Sequence, residues 1–361
     1  MSDENMTVVS CDQWWRDGWR GAGEFVEIEG VLVPVSDAGE FDRPRRIHVP
    51  GTLVAGLVDH HVHLGLADPR ELFRNGISQA HDMGWIGEVA ELWNEQSAQD
   101  PSLPDVLVAG AFITCIAGYP STSTWAPRAA AVEVATRAQA VEAVEAQAKR
   151  GAAYVKVMLN SDAGPVLDDE LLTCLVDEAH LRDLPVFAHV QGGGQAERAF
   201  EAGADALAHA PFSERIDDEL LRRMCSGRML WVSTLDMHGW GETTVEHRTA
   251  VDNVRRFVRD GGRVLYGTDL GNGPLPVGVN ERELLALAGA GLDADALMRT
   301  IVVEPLPLRL PDGRGTFALG PRLTWVPGRA PAGAEDTARW LARARGATID
   351  TLVETIQETP A

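Results

Sequence analysis

The sequence predicts an α/β fold, a (β/α)8 TIM barrel with a small accessory β-sheet formed by the N- and C-terminal flanks, and three observations carry that prediction. The chain has 361 residues, more than one small module needs and enough for one large barrel with accessory pieces. Between about residues 53 and 306, short apolar β-rich runs alternate with longer amphipathic stretches, as strands and crossover helices do around a parallel sheet. Outside that region, alternating segments with turn residues stand at both ends.

In chain order, residues 1–52 contain "EFVEIEGVLVPVSD" (24–37), whose period of two reads as strands. Eight runs then read as barrel strands: "TLVAGLVD" (52–59), "ISQAHD" (77–82), "VLVAGAFI" (106–113), "AAYVKVML" (152–159), "LPVFAHV" (184–190), "DALAHA" (205–210), "MLWVST" (229–234) and "RVLYGTD" (263–269). Helices separate them, most clearly over 129–150, where "AVEAVEAQAKR" shows a 3.6 period. "DGRGTFALGPRLTWVP" (312–327) resembles the N-terminal alternation, so segments 1–52 and 307–330 are expected to share one small sheet around a barrel of residues 53–306. After the loop "PGRAPAGA", the tail 331–361 reads as helix, with acids leading and arginines trailing in "EDTARWLARARG" as the helix dipole prefers.

Composition narrows the function classes. A net charge of -21 at pH 7 repels phosphate backbones and anionic lipid, which disfavours nucleic-acid and membrane-surface roles. Cys11, Cys115, Cys174 and Cys225 stand far apart without a CxxC pair, so reduced thiols are expected, and neither a disulfide framework nor a thiolate zinc site is. No basic-then-apolar leader opens the chain and no long uninterrupted apolar run follows, so a cytoplasmic location is expected.

Chemistry concentrates where strands end. "GLVDHHVHLG" (56–65) places His61 and His63 two residues apart, on one face of a strand and able to grip one ion. Lys156, His189, His209 and Asp269 lie in or just after four other predicted strands, near the carboxyl rim where barrel enzymes keep their active sites. Each alone has an ordinary structural reading, as core histidine, helix cap or snorkelling lysine. Six metal-capable groups on one rim are poorly explained that way.

With those residues in view, the chain resembles the metal-dependent amidohydrolase superfamily, and within it the imidazolonepropionase- and prolidase-like amidohydrolases. "GLVDHHVHLG" is similar to the D-x-H-x-H signature, with Asp59, His61 and His63 in its positions. "GAAYVKVM" is similar to the fourth-strand lysine segment, "AFEAGADALAHA" to the sixth-strand histidine segment, "YGTDLG" to the eighth-strand G-T-D and "GISQAHDMG" to the early G-V-T-T-V-R-D-x-G. The resemblance implies two divalent ions: His61, His63 and Asp269 on the more buried one, His189 and His209 on the more exposed one, and a carboxylated Lys156 between them. Imidazole and carboxylate donors suit Zn2+ first, with Mn2+, Fe2+ or Co2+ able to replace it. An ammonium cannot bind a cation, but a desolvated lysine beside positive charge loses its proton and can take up carbon dioxide. The implied reaction is hydrolysis of an amide or cyclic amide C–N bond of a small molecule, with Asp269 moving the proton from water to the departing nitrogen. A homo-oligomer is also implied.

The departures matter too. Ala55 replaces a proline frequent before G-L-x-D, Tyr119 stands where prolidase-type relatives often carry the histidine of G-G-H, and "LGPRLTWVPG" replaces an A-D-L-V-V run. A peptide substrate is therefore not carried over, and the small sheet is expected to be reduced or rearranged. Tyr119, Trp125, Arg128, His238 and Trp240, in the loops after the third and seventh strands, are candidate substrate contacts: the aromatics for a planar ring, Arg128 for a carboxylate. Loop packing or a subunit interface explains them equally. A one-metal deaminase, a lactonase-like hydrolase, a decarboxylase-type member and a non-catalytic metal-binding scaffold remain alternatives.

Overall fold

The computed structural model describes residues 6–38, 44–309 and 314–359. Strands from both flanks pair in one seven-stranded sheet. Its spine is Arg45–Val54, parallel to Thr7–Trp15 on one side and antiparallel to Leu323–Val326 on the other. Gly23–Ile28 and Val31–Pro34 extend it beyond Thr7–Trp15, and Arg345–Ala347 extends it beyond Leu323–Val326. Alternation along these strands sends Val9, Cys11, Phe25, Leu53 and Trp325 into a shared core.

Several boundaries differ from the sequence reading. Residues 52–59 do not form one strand: the chain leaves the flank sheet at Val54 and begins a new strand at Val58. The turn between needs Gly56, because a β-carbon there would stand 2.9 Å from that of Ser78. The C-terminal tail forms helices Ala334–Leu341 and Leu352–Glu358, but sends the strand Arg345–Ala347 back to the sheet between them. Gly346 makes this contact possible, passing so close to the Phe73 carbonyl that no side chain would fit.

The middle of the chain is mixed α/β with parallel sheets. Val58–Val62, Gln79–Asp82 and Asp105–Val108 form one of them. Phe112–Cys115, Val155–Asn160, Val186–Gln191, Ala206–Leu207, Leu230–Val232 and Arg263–Leu265 follow one another in the second. Backbone hydrogen bonds join the two at both edges: Ala153 N–H donates to the Val108 carbonyl (2.9 Å), and His60 N–H donates to the Tyr266 carbonyl (3.0 Å). The strand Val155–Asn160 is buried along its whole length, as expected of parallel strands covered on both faces.

The predicted third strand is split by Ala109, Gly110 and Ala111 into Asp105–Val108 and Phe112–Cys115. Gly110 adopts φ +78° and leaves room for the Gln147 side chain, whose amide donates to the Ala111 carbonyl at 2.7 Å. The helix expected over 129–150 is corrected as well. Residues Ala131–Val134 form an added strand parallel to Phe112–Cys115, and the helix begins at Arg137. β-branched Val132 and Val134 favour the pleated strand, and the Thr136 hydroxyl caps the helix by accepting from Gln139 N–H. Helices later in the chain begin in the same way at Asp168, Asp217, Thr244, Asn280 and Asp293. Among the described residues, no helix is long and apolar enough to cross a membrane.

Candidate metal centre

The centre starts from a buried carboxylate whose two oxygens are taken up by protein donors. Asp59 Oδ1 accepts the backbone N–H of His61 (3.0 Å) and of Thr268 (3.1 Å), and Oδ2 accepts the Thr268 hydroxyl (2.6 Å). One side chain thereby fixes the strand carrying His61 and His63 against the segment carrying Asp269. Burial pushes Asp59 up to about 7, opposed by the Thr268 and His61 donors. Asp269 N–H in turn donates to the His61 carbonyl (2.8 Å). Asp269 holds φ 60° and Thr234 φ 42°, left-handed backbone that non-glycine residues adopt at a cost of about 1–3 kcal/mol each and that concentrates at functional sites.

Around Asp269 the imidazoles converge. His61 Nδ1 lies 2.7 Å from the Ala208 carbonyl, which can only accept, so the ring proton sits on Nδ1. Burial, then the charge of Lys156, lowers the His61 pKa to about 4, so the ring is neutral and its Nε2 carries a bare lone pair. That lone pair stands 3.1 Å from Asp269 Oδ1. His63 repeats the arrangement, with Nδ1 donating to the Gly84 carbonyl (3.2 Å) and Nε2 at 3.2 Å from the same oxygen. Such close nitrogen–oxygen pairs need a proton or a cation between them. His209 Nδ1 is held by the Thr234 hydroxyl (3.0 Å), and its ring is 4.5 Å from that of His61 and 4.8 Å from that of His189, centroid to centroid. The Nε2 atoms of His61 and His189 are buried without a hydrogen-bond partner. Burial lowers His209 well below the ordinary imidazole range and takes His189 to about 3, Lys156 adding to the His189 shift.

Lys156 sits on the same face as Met158 and next to the strand bearing His189, with Lys156 opposite Phe187 and Met158 opposite His189. It is 1 % exposed, and burial lowers its ammonium to about 7 against the opposing pull of Asp269 and Asp82. A large fraction is therefore free amine near neutrality, the form that can react with carbon dioxide. Asp82 orders the first strand's end, Oδ2 accepting from Leu64 N–H (2.8 Å) and Oδ1 from Gly84 N–H (3.1 Å).

All six candidate ligands, His61, His63, Lys156, His189, His209 and Asp269, line one cavity of about 350 Å³, within the small-molecule range. The tightest cluster is His61, His209 and Asp269, whose donor atoms all lie within 4.8 Å of one another. Of the candidate substrate contacts, Tyr119 and Trp125 line the cavity, whereas Arg128, His238 and Trp240 do not. Arg128 is exposed at the start of a turn, and His238 is half-buried with its ring 4.2 Å from that of Phe212. Trp240 donates through Nε1 to the Asn272 carbonyl (3.1 Å). Residues the sequence reading passed over include Thr268, Thr234, Gln191 and Asn272, whose Nδ2 donates to Asp269 Oδ2 (2.9 Å). For Thr268 and Asn272 a signal was present, since both fall within three residues of Asp269 in "GTDLGN".

No family model matches the sequence. Curated relatives from Mycobacterium tuberculosis and Mycobacterium bovis, described as uncharacterized proteins, are 25 % identical over 244 residues, covering 61 % of this chain and 62 % of theirs; the chain thus spans less than two thirds of the relatives it matches. Among solved structures, phenylurea hydrolase B is similar at a TM-score of 0.73 and 14 % identity, over 99 % of both chains. A Xaa-Pro dipeptidase with methionine bound in the active site is similar at 0.71 and 17 %, over 94 % of this chain and 97 % of that one. An amidohydrolase is similar at 0.70 and 18 %, over 94 % and 96 %. At these identities the likeness establishes a shared fold.

Proposed function

We propose that this chain is a metal-dependent amidohydrolase that hydrolyses an amide or cyclic amide C–N bond of a small molecule at the carboxyl rim of a (β/α)8 barrel. The observation that carries the reading is the convergence of two imidazole Nε2 atoms on one oxygen of the Asp269 carboxylate. His61 and His63 both confront Asp269 Oδ1, at 3.1 and 3.2 Å, and a divalent cation turns that convergence into coordination. Sheets hydrogen-bonded at both edges and the fold shared with an amidohydrolase, a dipeptidase and a phenylurea hydrolase support it.

His61, His63 and Asp269 would hold one ion, His189 and His209 a second, and a carboxylated Lys156 both; the donor set favours Zn2+ over Mn2+, Fe2+ or Co2+. Cations held there supply Lewis-acid activation of water and of the substrate carbonyl. Asp269 does the proton work: it takes one proton from the attacking water as the C–O bond forms and returns it to nitrogen as the C–N bond breaks. Asn272, bonded to Asp269 Oδ2, keeps that carboxylate from rotating. The left-handed backbone at Asp269 aims it into the cavity.

A single-ion centre is the second reading, because only His61, His209 and Asp269 among the described residues form a compact group. Elemental analysis and native mass spectrometry separate the two: two ions per chain and a mass gain of one CO2 that Lys156→Ala abolishes support the binuclear form. One ion with unmodified Lys156 supports the other. Hydrolysis of anilides, lactams, cyclic imides and lactones by metal-loaded protein tests the activity itself. Asp269→Asn should lower kcat by roughly a hundredfold or more, and unchanged turnover would remove Asp269 from the proton path.

A further inference from the structure

We propose that the cavity selects an uncharged, largely apolar substrate, positions it through a hydrogen bond from the Gln191 amide to a substrate oxygen, and has no subsite for a substrate carboxylate. This rests on the hydrolase reading for what happens to the ligand, and on the cavity alone for which ligand enters. The walls beside the histidines are apolar: Phe112, Tyr119, Trp125, Met158 and Met237. Trp125 packs edge-on to Phe112 (5.9 Å between centroids) and lies 5.8 Å from His63, while Tyr119 lies 5.4 Å from His189. A planar or branched apolar group reaching the metal centre must therefore pass between aromatic faces.

Charge gives the second half of the argument. Lys156 is the only Lys or Arg among the described residues lining the cavity, and it lies within the metal cluster. Arg128, the one arginine the sequence offered as a carboxylate grip, is exposed and faces Glu133. Away from the histidines, a carboxylate held between Phe112, Trp125 and Met237 would lose its hydration with no lysine or arginine among those walls to pair with.

Gln191 supplies the polar contact, and its orientation follows from its neighbours. Ala163 N–H donates to Asn160 Oδ1 (3.1 Å), so the other amide atom of Asn160 is its nitrogen. That nitrogen donates to Gln191 Oε1 (2.8 Å), which turns the Gln191 NH2 group away from Asn160. Gln191 lines the cavity, and the donor so placed fits a neutral carbonyl, carbamate or urea oxygen.

Isothermal titration of N-phenylhexanamide against its 4-carboxylate analogue, on both chelator-treated and metal-loaded protein, tests the proposal. The neutral compound should bind the chelator-treated protein roughly tenfold or more tightly than the acid. Gln191→Leu and Trp125→Ala should each weaken the neutral compound, and Met237→Arg should raise affinity for the acid. Equal or tighter binding of the acid to chelator-treated protein, or no saturable binding of the neutral compound to either form, overturns the proposal. A preference that persists while metal-loaded protein hydrolyses neither compound upholds the selectivity and counts against the hydrolase reading instead.

Discussion

Asp59→Ala is the substitution that most directly tests how the centre is assembled. It would strip acceptors from three buried donors at once: the backbone N–H groups of His61 and Thr268 and the Thr268 hydroxyl. Each buried donor left unpaired costs about 1–3 kcal/mol, so the expected loss is about 3–9 kcal/mol, a large part of the roughly 5–15 kcal/mol that typically separates folded from unfolded protein. Asp59→Asn keeps Oδ1 for both backbone donors. Its new nitrogen would face Thr268 Oγ1, an oxygen that already accepts Leu270 N–H at 3.1 Å but retains a second lone pair. Only the hydroxyl proton loses its acceptor, so the cost should be about 1–3 kcal/mol. Urea unfolding followed by tryptophan fluorescence measures both, and the metal content of the folded protein should survive in Asp59→Asn. An Asp59→Ala protein within about 1 kcal/mol of the parent would refute the clamp. Loss of metal from a stable Asp59→Asn protein would make Asp59 a ligand instead.

Two further outcomes follow from the same chemistry. Zinc at about 100 times its Kd should add about 2.7 kcal/mol to stability and raise the melting temperature by roughly 3–4 °C; the gain should vanish with chelator and in His61→Ala or Asp269→Ala, and a shift retained in those variants would place the ion elsewhere. Glu283 is fully buried with its Oε1 unpaired and its pKa raised to about 7 by burial. Because the folded value lies above the unfolded one, its contribution is full at low pH and is lost as pH rises from about 4.5 through 7. Glu283→Gln should therefore gain on the parent between pH 5 and 9, by on the order of 3 kcal/mol; stability curves that stay parallel over that range would show the carboxyl is not held protonated.

The sequence disclosed which polar side chains gather at the cavity more completely than what orients them. His61, His63, Lys156, His189, His209 and Asp269 could be found because the period of two along a strand and the position of a strand's end are written locally. The atoms that orient them were not. His61 is set by the Ala208 carbonyl and His63 by the Gly84 carbonyl, backbone groups that carry no residue identity and reach the site only through strand register. Arg128 failed as a cavity residue for a related reason. The segment read as helix from 129 forms the strand Ala131–Val134, and the chain entering it leaves Arg128 facing solvent. The strand Arg345–Ala347 was illegible because its partner, Leu323–Val326, lies outside any local window, and the helical period of the tail dominated the reading.

Those supports also decide how the site answers perturbation. The Nδ1 atoms of His61, His63 and His209 are anchored on three different segments, at Ala208, Gly84 and Thr234. The anchor at Gly84 is itself set by Asp82, which also holds Leu64 at the end of the histidine strand. Rotating any ring therefore means moving a strand end in a core where Lys156, Val157 and Leu159 have no free surface to move into. The Nε2 atoms are thereby held towards Asp269, and the carboxylate, bonded at Oδ2 to Asn272, is held towards them. A site so constrained holds its side chains in place in advance, so a cation bound there would spend little of its binding energy on ordering them. Asp82→Ala should thus weaken metal binding without removing a ligand, by roughly the 10–100-fold typical of outer-shell partners. Metal titration followed by calorimetry would show it, and an unchanged affinity would mean that His63 keeps its orientation without the Gly84 turn.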